Sequence, residues 1–131
     1  MLSLVGQSGA TANVTLVAVT DPAQTGSQYM QPDAGKRFVG ATFTIQNTGD
    51  PMTGYANNDA TLIGSDGQTY TADFDTLDGC TNFAHGQYQL GTGESSTGCV
   101  AFQVPTGVTV SKVKYSPNSG FTADFGEWIV P

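Results

Sequence analysis

The sequence predicts an all-β fold, an antiparallel sandwich of seven or eight strands. Three observations carry this. Apolar residues recur at every second position along most of the chain, and no stretch shows a 3.6-residue period. The composition holds eighteen Thr, eleven Val and seventeen Gly but only six Leu. β-Branched side chains suit a pleated sheet, whereas Gly weakens a helix interior. The alternating runs also recur at about 8–15-residue spacing between clusters of turn formers, the pattern of a sandwich.

Each run can be justified in order. Residues 13–19 place Val14, Leu16 and Ala18 on one face. Residues 37–46 place Val39, Ala41, Phe43 and Ile45 on one face and Thr42, Thr44 and Gln46 on the other, although Arg37 and Phe38 fall on the wrong sides. Residues 60–74 read as a hairpin around Ser65-Asp66-Gly67, because Asp-Gly supplies the positive φ of a tight turn. After that turn Tyr70, Ala72 and Phe74 share a face. Residues 87–90 form a short strand ended by Gly91-Thr92-Gly93, and residues 97–104 bury Val100, Phe102 and Val104. Residues 108–115 change phase near Ser111, and residues 121–130 change phase across Gly126. A one-residue phase shift is what a β-bulge produces. Two long loops remain, 20–35 and 47–60, and residues 75–88 are largely loop-like as well.

Length and charge bound the function. With 131 residues the chain is long enough for one domain with a single core. We expect that domain to span 12–130, preceded by a flexible segment 1–11. Only 11% of residues are charged, and eleven acids stand against four bases, Lys36, Arg37, Lys112 and Lys114, for a net charge of −7. Two separated basic pairs cannot neutralise a run of phosphates, so nucleic acid is not an expected partner. No apolar stretch approaches the ~20 residues of a membrane helix. The first residues lack the basic region and apolar run of an intact signal peptide. They fit either a cytosolic start or an exported domain from which a signal or lipid-anchor segment has been removed, and low charge, few Lys and the cysteine pair favour the second.

The two cysteines, Cys80 and Cys99, are nineteen positions apart. Cys99 lies opposite Val100, Phe102 and Val104, so it points outward or towards a neighbouring segment. Cys80 lies in a loop-like stretch. A disulfide between them would clamp that loop on the strand, contribute roughly 3 kcal/mol by chain entropy, and imply an oxidising compartment. No redox or zinc-type cysteine spacing offers an alternative.

Few residues point to chemistry. His85 is the one histidine, and no nucleophile-elbow pattern accompanies it. A zinc site lacks ligands. Asp73, Asp75 and Asp78, followed by Gly79, approach the opening of a calcium loop but have one residue too many and no closing Glu. They are the candidate calcium ligands, with Asp50 or Asp59 as further donors. Nothing marks a pair of these acids as a glycosidase site. No cofactor is expected. The aromatics Tyr29 and Tyr55 in the long loops, and Phe83 and Tyr88 near Cys80, are candidate binding residues, since loops on a rigid sandwich often carry recognition. Trp128 sits in an alternating run and is expected in the core.

The order of four segments, 35–50, 60–74, 90–107 and 113–117, resembles a known pattern. It comprises a strand followed by Asn-Thr-Gly, then Ser-Asp-Gly-Gln-Thr-Tyr, then Gly-Glu-x-x-x-Gly-x-x-x-Phe-x-Val-Pro. The chain resembles, over roughly 12–130, a family of domains of unknown function in exported bacterial, notably actinobacterial, proteins and lipoproteins. The secreted mycobacterial immunoprotective antigen is related to that family. The resemblance implies an immunoglobulin-like β-sandwich in an extracytoplasmic protein, secreted or lipid-anchored, and it carries over no catalytic residue. The expected function is therefore non-enzymatic binding of a protein, peptide or envelope component through loops 20–35, 47–60 and 75–88. A small-ligand or calcium module on the 73–78 acids is the alternative.

Overall fold

A computed structural model describes residues 2–5, 11–24, 31–73, 77–78, 81–117 and 125–130. The fold is all-β and its strand ladders are antiparallel. Ten strands are present among the described residues, against the seven or eight expected: β1 (Leu2–Val5), β2 (Thr11–Ala23), β3 (Lys36–Asn47), β4 (Met52–Tyr55), β5 (Ala60–Gly64), β6 (Thr69–Asp73), β7 (Gln87–Leu90), β8 (Ser95–Pro105), β9 (Val110–Tyr115) and β10 (Gly126–Ile129). One helical turn, α1 (Ala56–Asp59), follows β4, and a 3-10 turn (Ala84–Gly86) precedes β7.

Eight strands form one sheet in the order β1-β2-β3-β8-β6-β5-β9-β10, and β4 pairs with β7 as a separate ribbon. β6 serves both halves of the large sheet. Its residues Thr69, Tyr70 and Thr71 pair with β5, and Ala72 and Asp73 pair with β8. The sheet folds over at this strand. Phe43 of β3 then meets Tyr115 of β9 and Trp128 of β10, with ring centroids 5.3 and 5.9 Å apart. The two edges also approach each other, since a Cβ built on Gly126 of β10 would lie 2.8 Å from Leu2 of β1.

The alternation places the main core as expected. Val39, Ala41, Phe43 and Ile45 are fully buried, as are Val100, Phe102 and Val104. The hairpin at Asp66-Gly67 forms with Gly67 at φ 79°, its Asp66 side chain accepting from the Gln68 amide at 3.1 Å. The phase change at Ser111 is a bulge. Ile63 pairs with Lys112 and Gly64 with Val110, leaving Ser111 over, and its hydroxyl donates to the Ile63 carbonyl at 3.0 Å. The phase change across Gly126 falls partly outside the described residues.

Several expectations are corrected. Residues 1–11 do not form a loose leader throughout, because Leu2–Val5 pairs with Thr11–Val14 and Leu4 is buried. The loop 47–60 contains β4 and α1. In β2 the inward face does not run through Ala18: a register shift between Leu16 and Ala18 leaves Val17 and Ala18 exposed and packs Val19 on the core. Phe38, misplaced by alternation, lies in a second small core with Ala23, Leu77, Cys99 and Ala101. Around Phe38, Cys99 and Ala101 the central strands β3 and β8 are covered on both faces, so alternation at those positions does not separate inside from outside. Arg37, the other misfit, turns aside to form a two-pronged bond with Asp21 (2.6 and 3.0 Å) and donates to the Pro105 carbonyl at 2.6 Å.

Candidate functional site

The loop expected at 47–60 and the short strand expected at 87–90 come together as the β4–β7 ribbon. Met52 pairs with Leu90, Thr53 with Gln89, Gly54 with Tyr88 and Tyr55 with Gln87. Alternation then sorts the ribbon into faces. Gly54, Tyr88 and Leu90 are buried with Met52 packed against the core, while Thr53, Tyr55, Gln87 and Gln89 are exposed.

The inward face explains why this ribbon sits where it does. A Cβ on Gly54 would overlap the Tyr88 ring, so only glycine lets that ring lie across β4. Phe83 is seated likewise on Gly98 of β8, where a Cβ would stand 2.6 Å from its ring. The two rings meet at 5.8 Å. The Tyr88 hydroxyl reaches that of Tyr115 at 3.0 Å, and Tyr115 in turn hydrogen-bonds buried Asp59. Burial pushes the Tyr88 hydroxyl up to about 12, and drives Tyr115 well above its ordinary value, helped by the nearby Tyr88 and Asp59. Both remain neutral donors or acceptors in a packed core. Asn47, fully buried, ties the approach to the ribbon: its amide donates to the carbonyls of Asp50 (2.9 Å) and Leu90 (3.1 Å) and accepts from the Gly49 amide at 2.9 Å.

The outward face is a platform of one aromatic ring and three uncharged hydrogen-bonding side chains, with Tyr55 49% exposed. At its end an open groove of ≈ 380 Å³ runs between Pro51, Met52, Thr53, Gln89, Leu90 and Glu94. The groove wall is braced: Glu94 accepts from the Gly91 amide at 2.5 Å, and the Thr92 hydroxyl donates to the Gly49 carbonyl at 2.7 Å. Side chains of this kind bind and orient a surface.

The other expected site residues are distributed differently. Phe83 and Tyr88 are corrected from binding candidates to core residues, 5% and 7% exposed, because Gly98 and Gly54 open slots for their rings. Tyr29, Asp75 and Cys80 lie outside the described residues, as does the side chain of His85. Asp73 points outward from β6, its carboxylate accepting from the Gln103 amide at 2.8 Å, and Asp78 lies in an exposed turn. No group of three or more His, Cys, Asp or Glu able to hold a metal occurs among the described residues. Trp128 is half-buried against Phe43, as its alternating run predicts. Cys99 faces the second small core, and the residues just after Cys80 run beside it: the Cys99 amide donates to the Thr81 carbonyl at 2.8 Å and Asn82 forms a bridge to Cys99. Sequence reasoning missed Gln87 and Gln89 as site residues. Their signal was the alternation Gln-Tyr-Gln-Leu itself, which sets both amides on the face opposite Tyr88.

No helix of the described chain is long and apolar enough to cross a membrane. A family model described as a domain of unknown function (DUF4352) matches residues 4–124. No curated protein matches the chain in sequence. Among solved structures it is similar to MPT63, a secreted protein from Mycobacterium tuberculosis, at TM-score 0.61 and 22% identity, covering 93% of this chain and 85% of that one. It is also similar to ycdA from Bacillus subtilis, provisionally described as a lipoprotein, at TM-score 0.59 and 16% identity. That match covers 96% of this chain but 38% of the Bacillus protein.

Proposed function

The chain belongs to the DUF4352 family of domains of unknown function, and on that footing we propose that it is a non-enzymatic, exported binding module of immunoglobulin-like sandwich type, which holds a protein, peptide or envelope component against the outward face of the β4–β7 ribbon. The observation that carries this reading is the exposed ring of Tyr55 on a rigid two-stranded platform, flanked by Thr53, Gln87 and Gln89. An aromatic ring ordered by a braced scaffold loses little entropy on binding and presents a large contact area, which is why such residues dominate recognition surfaces. Low charge on the platform favours uncharged, hydrogen-bonding partners.

Export is supported by the secreted and lipoprotein character of the two proteins that share the fold. A Cys80–Cys99 disulfide belongs to the same reading, since Thr81 and Asn82 already lie against Cys99.

The test is co-sedimentation of the protein with an insoluble bacterial cell-wall preparation, alongside binding to a displayed random-peptide library. We expect Tyr55→Ala to weaken whichever interaction is found by about tenfold or more, the scale of a recognition aromatic. Val17→Ala, which trims another exposed apolar residue on the far strand β2, should leave it unchanged. Equal effects of the two substitutions, or none from Tyr55→Ala, would remove the ribbon from the proposal.

A further inference from the structure

Where β6 leaves β8 to join β5, the two strands splay and a polar cleft of ≈ 260 Å³ opens between them. Its walls are Asp33, Lys36, Thr69, Thr71, Asp73 and Gln103, with the edge of Tyr70. Gln103 locks the cleft floor. Its amide oxygen accepts from the Asp33 backbone amide at 2.7 Å and its amide nitrogen donates to Asp73 Oδ2 at 2.8 Å. The turn 33–36, closed by the Lys36 amide donating to the Asp33 carbonyl at 3.0 Å with Gly35 at φ 77°, brings the Asp33 and Lys36 side chains to the same rim.

The charges in this cleft are unusual for the molecule. Three of the four bases have acceptors: Arg37 pairs with Asp21, Lys112 with Glu127 at 3.7 Å, and Lys114 lies 4.3 Å over the Phe125 ring. Lys36 has no ion pair among the described residues, although two carboxylates line the same cleft. An ammonium and two carboxylates held apart around one small space select against ligands of a single sign. A divalent cation would meet the like charge of the Lys36 ammonium beside the same carboxylates. A phosphate-like anion would meet Asp33 and Asp73. A molecule carrying both signs satisfies all three, and rejecting each one-signed competitor is how specificity is built.

We propose that this cleft binds a small zwitterion, a free amino acid or dipeptide, with its carboxylate on Lys36 and its ammonium on Asp73 and Asp33. The hydroxyls of Thr69 and Thr71 complete the shell. The volume falls below the roughly 300 Å³ at which drug-sized sites begin, which matches a ligand of this size. The site is separate from the β4–β7 ribbon and does not depend on it.

The experiment is a titration of the isotope-labelled full chain, followed by amide NMR, with alanine, dialanine, N-acetylalanine, alaninamide and calcium chloride. The expected result is saturable movement of the amides of Lys36, Thr69–Asp73 and Gln103 with the zwitterions. The two single-charge analogues should require at least tenfold higher concentration. Lys36→Met should erase the advantage of alanine over alaninamide. Asp73→Asn should erase its advantage over N-acetylalanine. Lys36 is exposed, so its variant is expected to fold even where Asp73→Asn does not. No saturable shift with either zwitterion, equal binding of alaninamide, or calcium moving the same amides would each overturn the assignment.

Discussion

Tyr88 shows how one side chain can be decided by its neighbours. By sequence it is an aromatic beside a loop; in the structure Gly54 clears the space beneath its ring and its hydroxyl shares a hydrogen bond with that of Tyr115. Its hydroxyl is pushed up to about 12, chiefly by burial, against about 10 for an unfolded tyrosine. A raised folded value means the neutral form is favoured by folding. The corresponding stability is therefore complete below pH ~10 and is lost as pH climbs through about 12, by on the order of 3 kcal/mol for this residue. Tyr115 acts in the same direction. Urea midpoints at pH 8 and at pH 11.5 should differ more in the native protein than in Tyr88→Phe. An identical alkaline loss in both would show that Tyr88 is not held neutral by the fold.

Among the elements, the bulge at Ser111 and the strand β1 illustrate two kinds of local decision. Ser111 could be read from the change of phase between Val110 and Val113, because alternation must slip by one wherever an extra residue enters a ladder. β1 could not, since four residues carry too little pattern. Yet Leu4 is 3% exposed and belongs to the main core. Removing residues 1–5 should lower stability by about 2 kcal/mol, the transfer value of one buried leucine, with further loss from the bared edge of β2. A melt of the truncated chain should fall by at least roughly 5 °C. An unchanged midpoint would mean that β1 only rests on the sheet.

Across the whole molecule, the second cover over β3 and β8 decides where Cys99 lies. Cys99 sits in the small core with Leu77, beside Thr81 and Asn82, rather than facing solvent. Bonding it to Cys80 would anchor that cover, with about 3 kcal/mol from closing a loop of roughly twenty residues. Intact mass under non-reducing conditions should show both thiols resisting alkylation until reductant is added, and reduction should lower the melting point by roughly 10 °C. Immediate alkylation of both in native material would leave the cover held by packing alone. The acidic surface and its four bases, three of them engaged, leave Lys36 as the described cation open to a ligand.

The sequence by itself determined what depends on near neighbours: the all-β class, the inward faces of β3 and β8, the Asp66-Gly67 turn and the bulge at Ser111. Pleat geometry imposes a period of two on any strand with one wet face, so those features are written into consecutive residues. Tertiary structure decided the rest. It covered the second face of β3 and β8, seated Phe83 and Tyr88 on glycines fifteen or more positions away, paired the short strand at 87–90 with a segment of an apparent loop, and opened the cleft at β6. Each of these depends on which distant segment comes to lie against a given face, and side-chain alternation records a face without recording what will cover it.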